Sequence, residues 1–361
     1  MKIRKIVITG GPCGGKSTAM SWIQNTFTEK GYTVLFVPET ATELITGGVA
    51  PWTCGSNVEY QQCQMRLQLE KEKVFEQAAK TMNASKILIV CDRGALDNRA
   101  YMDDREFAQV MEHLGTNEVE LRDNYHAVFH LVTAARGAEE FYTTENNTAR
   151  TETAEEAMAL DDKIISAWTG HPYLRVIDNS TDFQDKMRRL NKEILAFLGE
   201  PEPYEIERKF LIEYPDISWL ASLPNCRRVE IIQTYLKSDE NEEVRLRQRG
   251  FGGHYIYYET EKRRISDRKR ISVERRLSEE EYRELLMNAD KTRHQIRKDR
   301  YCLTYENQYF DIDVYPFWND KAIVEIDLSD ENAEVRFPPR IRVIKEVTGD
   351  ESYKNSALAK L

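Results

Sequence analysis

A run of glycines followed by a lysine and a serine lies near the start of the chain. It reads GGPCGGKS and fits the pattern GxxxxGK[ST]. In such a loop backbone N–H groups surround phosphate oxygens, the lysine reaches the β- and γ-phosphates, and the hydroxyl faces Mg²⁺. A glycine turn with an incidental lysine is the alternative. The segment predicts a site for ATP or GTP made by Gly10, Gly11, Pro12, Cys13, Gly14, Gly15, Lys16, Ser17 and Thr18.

Two carboxylates and an arginine could complete this chemistry. Asp92 follows an apolar segment, at the strand end where open α/β sheets bind ligands, so it is a candidate catalytic residue and a metal ligand beside Ser17. A helix-capping aspartate is the other interpretation. Glu39 either orients or deprotonates a phosphoryl acceptor or caps the next helix. Arg150 either closes over the triphosphate or lies on the solvated surface.

The elements that must position these residues alternate between apolar strands and longer helices over the first 200 residues. A helix is predicted over Glu59–Met82, and strands are predicted over Ile3–Thr9, Thr33–Val37, Lys86–Cys91, Ala127–Val132 and Leu174–Ile177. This order is typical of an α/β domain with a parallel sheet wrapped by helices.

The pattern changes at the segment GEPEPYE, where two prolines interrupt a polar stretch. We therefore predict a nucleotide-binding domain over 1–199 and a second domain over 200–361. Strand-like alternation dominates the second domain, and Ser278 followed by Glu281 predicts the start of a helix. The expected fold is α+β, with an antiparallel β-barrel.

Charged and apolar side chains alternate along several of these strands. Alternate residues of a strand share a face, so Arg245 and Arg247 lie together, as do Lys298 and Arg300. An ordinary barrel would turn such charges to water. Because the pattern recurs in five strands, we expect the charges to face inward, where acids hold divalent cations and basic groups hold phosphate oxygens. A triphosphate or inorganic polyphosphate would satisfy both.

The first domain resembles the P-loop domains of nicotinamide riboside kinases and deoxynucleoside kinases, which are often described as AAA-like ATPases. The resemblance rests on GGPCGGKST, VPETATELI, CDRGALDN and GHPYLRVIDN. It implies that Glu39 contacts the acceptor hydroxyl and that Asp92 and Arg93 form the acidic–basic pair after the third strand. No motif marks an acceptor pocket.

The second domain resembles the CYTH, or triphosphate tunnel metalloenzyme, superfamily through EIERK, VRLRQR, RISVE, KDRY, DIDVY and VEID. The resemblance implies a tunnel in which phosphate is bound by Lys209, Arg245, Arg247, Lys262, Lys298 and Arg300. It implies Mg²⁺, or Mn²⁺, on Glu205, Glu207, Glu274, Glu325 and Asp327, with Glu205 and Glu207 also catalytic. Ser272 stands where relatives carry an acid, and Asp327 replaces the commoner glutamate.

Together the two halves resemble a family of P-loop and CYTH fusions that includes the TRPL translocation defect protein. The family is associated with GTP and with phosphoinositide or phosphatidic acid lipids. An anionic phospholipid head group is therefore a further expected partner.

Composition limits the remaining possibilities. The 361 residues carry 51 basic and 61 acidic side chains, a net charge of −10, so nucleic acid is not an expected partner. No apolar run approaches the roughly 20 residues of a membrane span. The six cysteines lack zinc-site spacing. A cytoplasmic location is expected.

These observations predict an enzyme: a P-loop ATPase, GTPase or kinase-like domain joined to a tunnel that binds and hydrolyses a triphosphate with a metal. The alternative is a nucleotide-dependent switch or adaptor whose barrel binds an anionic lipid head group without chemistry. A third possibility is a cyclase that acts on ATP.

Overall fold

The computed structural model describes residues 2–142, 153–200, 206–238, 242–266, 269–328 and 333–360; for 141, 206 and 262–273 the description is of the backbone alone. The chain divides into two compact units, Met1–Glu205 and Ile206–Leu361. In the part of the chain that is described, no helix has both the length and the apolar character needed to cross a membrane.

The first unit is built on five parallel strands in the order β2-β3-β1-β4-β5. The strands are β1 (Lys2–Thr9), β2 (Thr33–Val37), β3 (Lys86–Asp92), β4 (Ala127–Leu131) and β5 (Leu174–Ile177). The helices are α1 (Lys16–Glu29), α2 (Thr40–Thr46), α3 (Asn57–Thr81), α4 (Asp104–Leu114), α5 (Glu118–Arg122), α6 (Ala154–Trp168) and α7 (Phe183–Leu198). The predicted parallel sheet with covering helices is confirmed.

Apolar burial on the central strands fixes this sheet. Ile6 and Ile8 of β1 are fully buried with Leu88 of β3, and they pack with Ile23 of α1 and Leu190 of α7. A strand that is covered on both faces has a continuous run of apolar residues in the sequence. For this reason β1, β3 and β4 could be predicted. The strand order reverses at β1, so its carboxyl end is the place where such sheets bind ligands.

The second unit contains a nine-stranded antiparallel sheet in the order β10-β9-β8-β7-β11-β12-β13-β6-β14. The strands are β6 (Ile206–Glu213), β7 (Cys226–Tyr235), β8 (Glu242–Phe251), β9 (His254–Ser266), β10 (Lys269–Leu277), β11 (Ile296–Tyr305), β12 (Gln308–Val314), β13 (Lys321–Leu328) and β14 (Val343–Glu346). Helices α8 (Ile217–Ser222), α9 (Glu279–Leu285) and α10 (Asn355–Leu358) complete the unit.

The antiparallel sheet is confirmed, whereas the closed barrel stays a prediction. Within the residues described, the ladder runs from β10 to β14, and no pairing joins these two edge strands to each other. The strand β14 was not predicted. Helix α9 begins where predicted, because Ser278 and Glu281 each bind the backbone N–H of the other.

Cross-strand register brings the alternating charges to one face of the sheet. Lys209 lies opposite Glu325, Glu325 opposite Asp311, and Asp313 opposite Arg300. Directly opposed residues share a face. On β8 the same face carries Arg245 and Arg247. We call this surface the charged face; its charged members include Glu207, Lys209, Arg245, Arg247, Arg249, Glu274, Lys298, Arg300, Asp311, Asp313, Glu325 and Asp327.

The other face of the sheet is apolar and covered by helices. Leu246 and Leu277 pack with Tyr282 of α9. Phe210 and Val324 pack with Leu220 of α8. Burying this apolar face leaves the charged face on the opposite side of the same strands.

Candidate phosphate-binding sites

The glycine loop, Gly10–Lys16, connects β1 to α1. Gly10 has φ +141°, and a Cβ atom there would lie 2.0 Å from the carbonyl oxygen of Leu131. Only glycine allows the backbone to pass so close to β4. The Nζ atom of Lys16 folds back over the loop and donates to the carbonyl oxygens of Gly10 (3.1 Å) and Gly11 (3.2 Å). The ammonium group therefore lies within the curve where a phosphate would be held.

The electrostatics of the loop follow from this position. Burial of the Lys16 ammonium group, together with the nearby charge of Arg93, lowers the pKa of Lys16 to about 8. Ser17 and Thr18 lie exposed in the first turn of α1. All the predicted nucleotide-binding residues thus belong to this one loop and helix start, except Arg150, which lies outside the described residues.

Side chains that the sequence did not single out hold the glycine loop in place by hydrogen bonds to its backbone. Asp161 of α6 is fully buried, and its Oδ1 accepts the backbone N–H of Gly11 (2.7 Å). The same oxygen lies 2.9 Å from Nε2 of the buried His130. The hydroxyl of Thr133 donates to the carbonyl oxygen of Pro12 (2.5 Å).

A second lysine supports the loop from α7. The Nζ atom of Lys186 donates to the carbonyl oxygens of Gly14 (3.1 Å) and Val132 (2.8 Å) and to Oδ1 of Asn179 (2.7 Å). Lys186 is buried, and its burial lowers its pKa to about 8. It is a positioning residue, since it ties the loop to the segment that follows β4.

Asp92 ends β3 with an unpartnered oxygen. Among the described residues nothing hydrogen-bonds its buried Oδ1 atom, and burial raises its pKa. The helix-capping interpretation does not describe it, because the turn after Gly94 is capped by Asp97, whose Oδ2 accepts the Gly94 N–H (2.8 Å). A carboxylate oxygen left without a partner beside a phosphate loop fits a divalent cation, with the Ser17 hydroxyl as a second ligand.

Glu39 holds Arg93 against the glycine loop. Its Oε1 accepts from Nε of Arg93 (2.5 Å) and its Oε2 from the hydroxyl of Thr42 (2.6 Å). It precedes α2 but makes no capping bond to the backbone. Burial opposes ionisation of Glu39, but Arg93, Thr42 and Lys16 outweigh it and lower its pKa. Nη1 of Arg93 in turn donates to the carbonyl oxygen of Gly10 (3.3 Å).

A cavity of about 400 Å³ opens beside this ion pair. We call it the amide cavity, because α3 contributes Gln61, Gln64 and Gln68 to its wall and Asn98 adds a fourth amide. Helix α3 was predicted from the sequence, whereas this cavity was not. The available signal was the spacing of three glutamines at i, i+3 and i+7, which places them on one face of a helix.

The second candidate site is the charged face of the second unit. Nη2 of Arg300 donates to Asp313 and to Glu325, each at 2.7 Å, and its Nη1 donates to Asp311 (2.5 Å). Nζ of Lys298 binds Asp313, and both side chains are almost fully buried. These two predicted phosphate ligands are thus already held by carboxylates.

Arg245 and Arg247 have fewer acidic partners than Arg300 among the described side chains of this face. Nη1 of Arg247 lies 3.4 Å from Glu274, and its Nε, like that of Arg245, is buried with no hydrogen-bond partner in the described structure. Burial and the charge of Arg245 lower the pKa of Arg247 to about 10. Lys209 lies 2.7 Å from Glu325 and 3.5 Å from Glu207. Half-buried guanidinium groups with few acidic partners favour binding of an anion.

The predicted metal ligands of this face are only partly brought together. Glu207 and Asp327 lie opposite each other on β6 and β13. Burial and the negative charge of Glu325 raise the pKa of Glu207 to about 7, whereas cations lower that of Glu325 despite its burial. No three described acids, histidines or cysteines are arranged to hold a metal ion. Glu205, and the side chains of Lys262 and Ser272, lie outside the described residues.

Comparison with known proteins gives one family match. The model of the family described as AAA domain matches residues 5–186. No curated protein matches the chain. Among solved structures, the inorganic triphosphatase NE1496 is similar at 29% identity over 43% of this chain and 94% of its own, with a TM-score of 0.31. The PH1012 protein from Pyrococcus horikoshii OT3 is similar at 20% identity over 36% of this chain and 81% of its own, with a TM-score of 0.27. The AAA domain model covers just over half of the 361 residues of this chain. The chain therefore belongs to the AAA domain family.

Proposed function

We propose that the chain is an enzyme with two phosphate sites, one in each unit. The first unit binds a nucleoside triphosphate, ATP or GTP, on the glycine loop. The second binds an inorganic or nucleoside triphosphate on the charged face and hydrolyses it. The observation that supports the proposal is a set of half-buried cations with few acidic partners among the described side chains: Lys16 in the glycine loop, and Arg245 and Arg247 on the charged face.

At the first site each residue has a distinct task. Backbone N–H groups of the loop bind the phosphates, and Lys16 neutralises their charge. Asp92 and Ser17 would hold Mg²⁺, which supplies Lewis-acid polarisation of the phosphate oxygens when bound. Arg93 donates to the carbonyl oxygen of Gly10 and so lies beside the loop, where it would stabilise charge on the transferred phosphoryl group. Glu39 would orient the attacking hydroxyl or water.

At the second site the proposal is a tunnel of the CYTH type. Arg245, Arg247 and Lys209 would bind the phosphate oxygens, the arginines in bidentate fashion. Glu207, whose pKa is raised to about 7, is suited to accept a proton from an attacking water near neutral pH. The described carboxylates do not form a three-ligand site for Mg²⁺ or Mn²⁺.

Phosphate release tests this proposal directly. Purified protein is assayed with tripolyphosphate, ATP and GTP in the presence of Mg²⁺ or Mn²⁺, with Lys16→Ala, Glu207→Gln and Arg247→Met as variants. We expect Lys16→Ala to remove activity at the first site and Glu207→Gln to remove tripolyphosphate hydrolysis. Failure of all three triphosphates to bind or react would contradict the proposal.

The same protein distinguishes the adaptor alternative. Binding to phosphoinositide or phosphatidic acid vesicles that is lost in Arg245→Ala, without turnover of any triphosphate, would favour a binding module. A cyclic nucleotide detected by mass spectrometry would favour the cyclase.

A further inference from the structure

A buried carboxylate contacts the glycine loop, although the ligand proposed for that loop is an anion. Asp161 of α6 is fully buried, and its Oδ1 accepts the Gly11 N–H at 2.7 Å. Burial opposes ionisation of Asp161, but His130 and the Gly11 N–H outweigh burial and lower its pKa. The carboxylate therefore stays charged near neutral pH. A negative charge repels phosphate, so Asp161 must serve the loop in another way than by binding the ligand.

The glycine at position 11 is explained by this carboxylate. Position 11 is one of the four unspecified positions of GxxxxGK[ST], so phosphate binding does not require glycine there. A Cβ atom on Gly11 would lie 2.7 Å from Oδ1 and 3.0 Å from Cβ of Asp161. Only glycine lets the loop and the carboxylate approach so closely. The sequence of the loop is thus matched to α6.

The peptide between Gly10 and Gly11 links Asp161 to the cations of the site. In a trans peptide the N–H and the C=O point in opposite directions. Asp161 holds the N–H end of this peptide. The C=O end accepts from Nζ of Lys16 (3.1 Å) and from Nη1 of Arg93 (3.3 Å). Turning the peptide plane would take the carbonyl oxygen away from both cations, so the orientation of the N–H decides where they are held.

A second buried side chain holds the carboxylate itself. Nε2 of His130, on β4, lies 2.9 Å from the same Oδ1 atom, and both side chains are fully buried. The Oδ2 atom has no partner among the described residues, so both contacts converge on the oxygen that accepts the Gly11 N–H. Farther along α6, Nε1 of Trp168 donates to Asp97 (2.9 Å) and ties the helix to the turn after β3. The acceptor is therefore fixed before any nucleotide arrives.

We propose that Asp161 is a positioning residue for triphosphate binding, because it fixes the plane of the peptide between Gly10 and Gly11. Through the Gly10 carbonyl it places Lys16 and Arg93 for the phosphates. The inference rests on the proposed binding of a nucleoside triphosphate at the glycine loop. The Gly11 N–H stays with Asp161 when the nucleotide is bound, so the phosphates are bound by other amides of the loop.

Two substitutions separate positioning from stability. The affinity for MgATP is measured by calorimetric titration of the full chain, and circular dichroism reports whether each variant is folded. We expect Asp161→Ala to bind MgATP at least about tenfold more weakly, because the Gly11 N–H loses its acceptor. Asp161→Asn keeps an acceptor oxygen and should stay within about threefold of the unaltered protein. A role confined to stability would lower the midpoint of unfolding without this difference in affinity.

Asp162→Ala is the matched control. Asp162 is the next residue of α6, is 59% exposed and pairs with Arg136. This variant should bind MgATP within about threefold of the unaltered protein.

The unaltered protein allows a second measurement by NMR. Gly11 and Gly15 each follow another glycine, so labelling glycine with ¹³C and ¹⁵N selects their amide signals among the few of this kind. We expect the Gly11 amide proton to resonate downfield, because its acceptor is charged, and to stay there when MgATP is added. The Gly15 amide proton should shift on binding. In Asp161→Asn the Gly11 signal should move upfield.

The inference is overturned if folded Asp161→Ala binds MgATP as tightly as the unaltered protein, or if Asp161→Asn or Asp162→Ala loses as much affinity as Asp161→Ala. It is also overturned if MgATP shifts the Gly11 amide proton as far as that of Gly15. Should Asp161→Ala not fold, the affinity of Asp161→Asn and the Gly11 signal decide. Failure of MgATP to bind the unaltered protein would instead contradict the proposed function.

Discussion

At the scale of single residues, Lys16 makes nucleotide binding depend on pH. Its pKa is about 8 in the free protein, because its ammonium group is buried and lies near Arg93. Bound phosphates would raise that pKa, so nucleotide binding above pH 8 takes up a proton. The affinity for MgATP should therefore be constant below pH 8 and fall by up to about tenfold for each pH unit above it.

Calorimetric titration in buffers of different ionisation enthalpy measures this proton uptake. Lys16→Arg is the control, because a guanidinium stays charged over the whole range and should bind nucleotide without taking up a proton. An affinity for MgATP that stays constant well above pH 8 in the unaltered protein would contradict the prediction.

Arg247 illustrates how binding and stability can oppose each other at one residue. Burial and neighbouring arginines lower its pKa, and its ion pair with Glu274 is long at 3.4 Å. Arg247→Met keeps most of the side-chain volume and removes this unfavourable charge. We expect the variant to be as stable as the unaltered protein or more so, and to bind tripolyphosphate at least about tenfold more weakly.

Thermal unfolding with and without tripolyphosphate measures both effects. Arg275→Met is the matched control, because Arg275 lies on β10, half exposed, and pairs with Glu259 and Glu281. It should change neither property by much. Loss of stability in Arg247→Met with unchanged tripolyphosphate binding would assign Arg247 a purely structural role.

At the scale of elements, the pair β11 and β12 depends on one buried carboxylate. Asp313 is fully buried and binds both Lys298 and Arg300 across the strands. Asp313→Asn would leave the Lys298 cation in the interior without its partner. We expect the free energy of unfolding to fall by about 3–5 kcal/mol, measured by urea denaturation.

Two further variants make this prediction specific to burial. Glu346→Gln removes an exposed ion pair with Arg208 on β6 and should cost at most about 1 kcal/mol. The double change Lys298→Met with Asp313→Leu removes both charges and should recover part of the loss. Equal losses in Asp313→Asn and Glu346→Gln would show that burial of the pair is not what matters.

Sequence patterns predicted these elements better than the contacts between them. The strands and the glycine loop follow from local apolar runs and spacing. Asp161 and Asp162 are neighbours in the sequence, yet Asp161 is fully buried beneath the loop while Asp162 is 59% exposed. Nothing local distinguishes them, since the difference arises when α6 packs against the turn after β3 and Asp161 meets Gly11 and His130. The amide cavity was missed for the same reason: it forms only when α2 and α3 meet the turn after β3.

At the scale of the whole molecule, each of the two compact units has its own proposed phosphate site, with Lys16 in the first and Arg247 in the second. A ligand that binds only the folded state stabilises it, by about 2.7 kcal/mol at a concentration 100 times its Kd. Each proposed site should therefore respond to its own ligand. We expect Lys16→Ala to abolish thermal stabilisation by MgATP and to retain that by tripolyphosphate, and Arg247→Met to do the reverse. Loss of both responses in either single variant would mean that one site serves both ligands, because a change confined to one phosphate site cannot remove binding at an independent one.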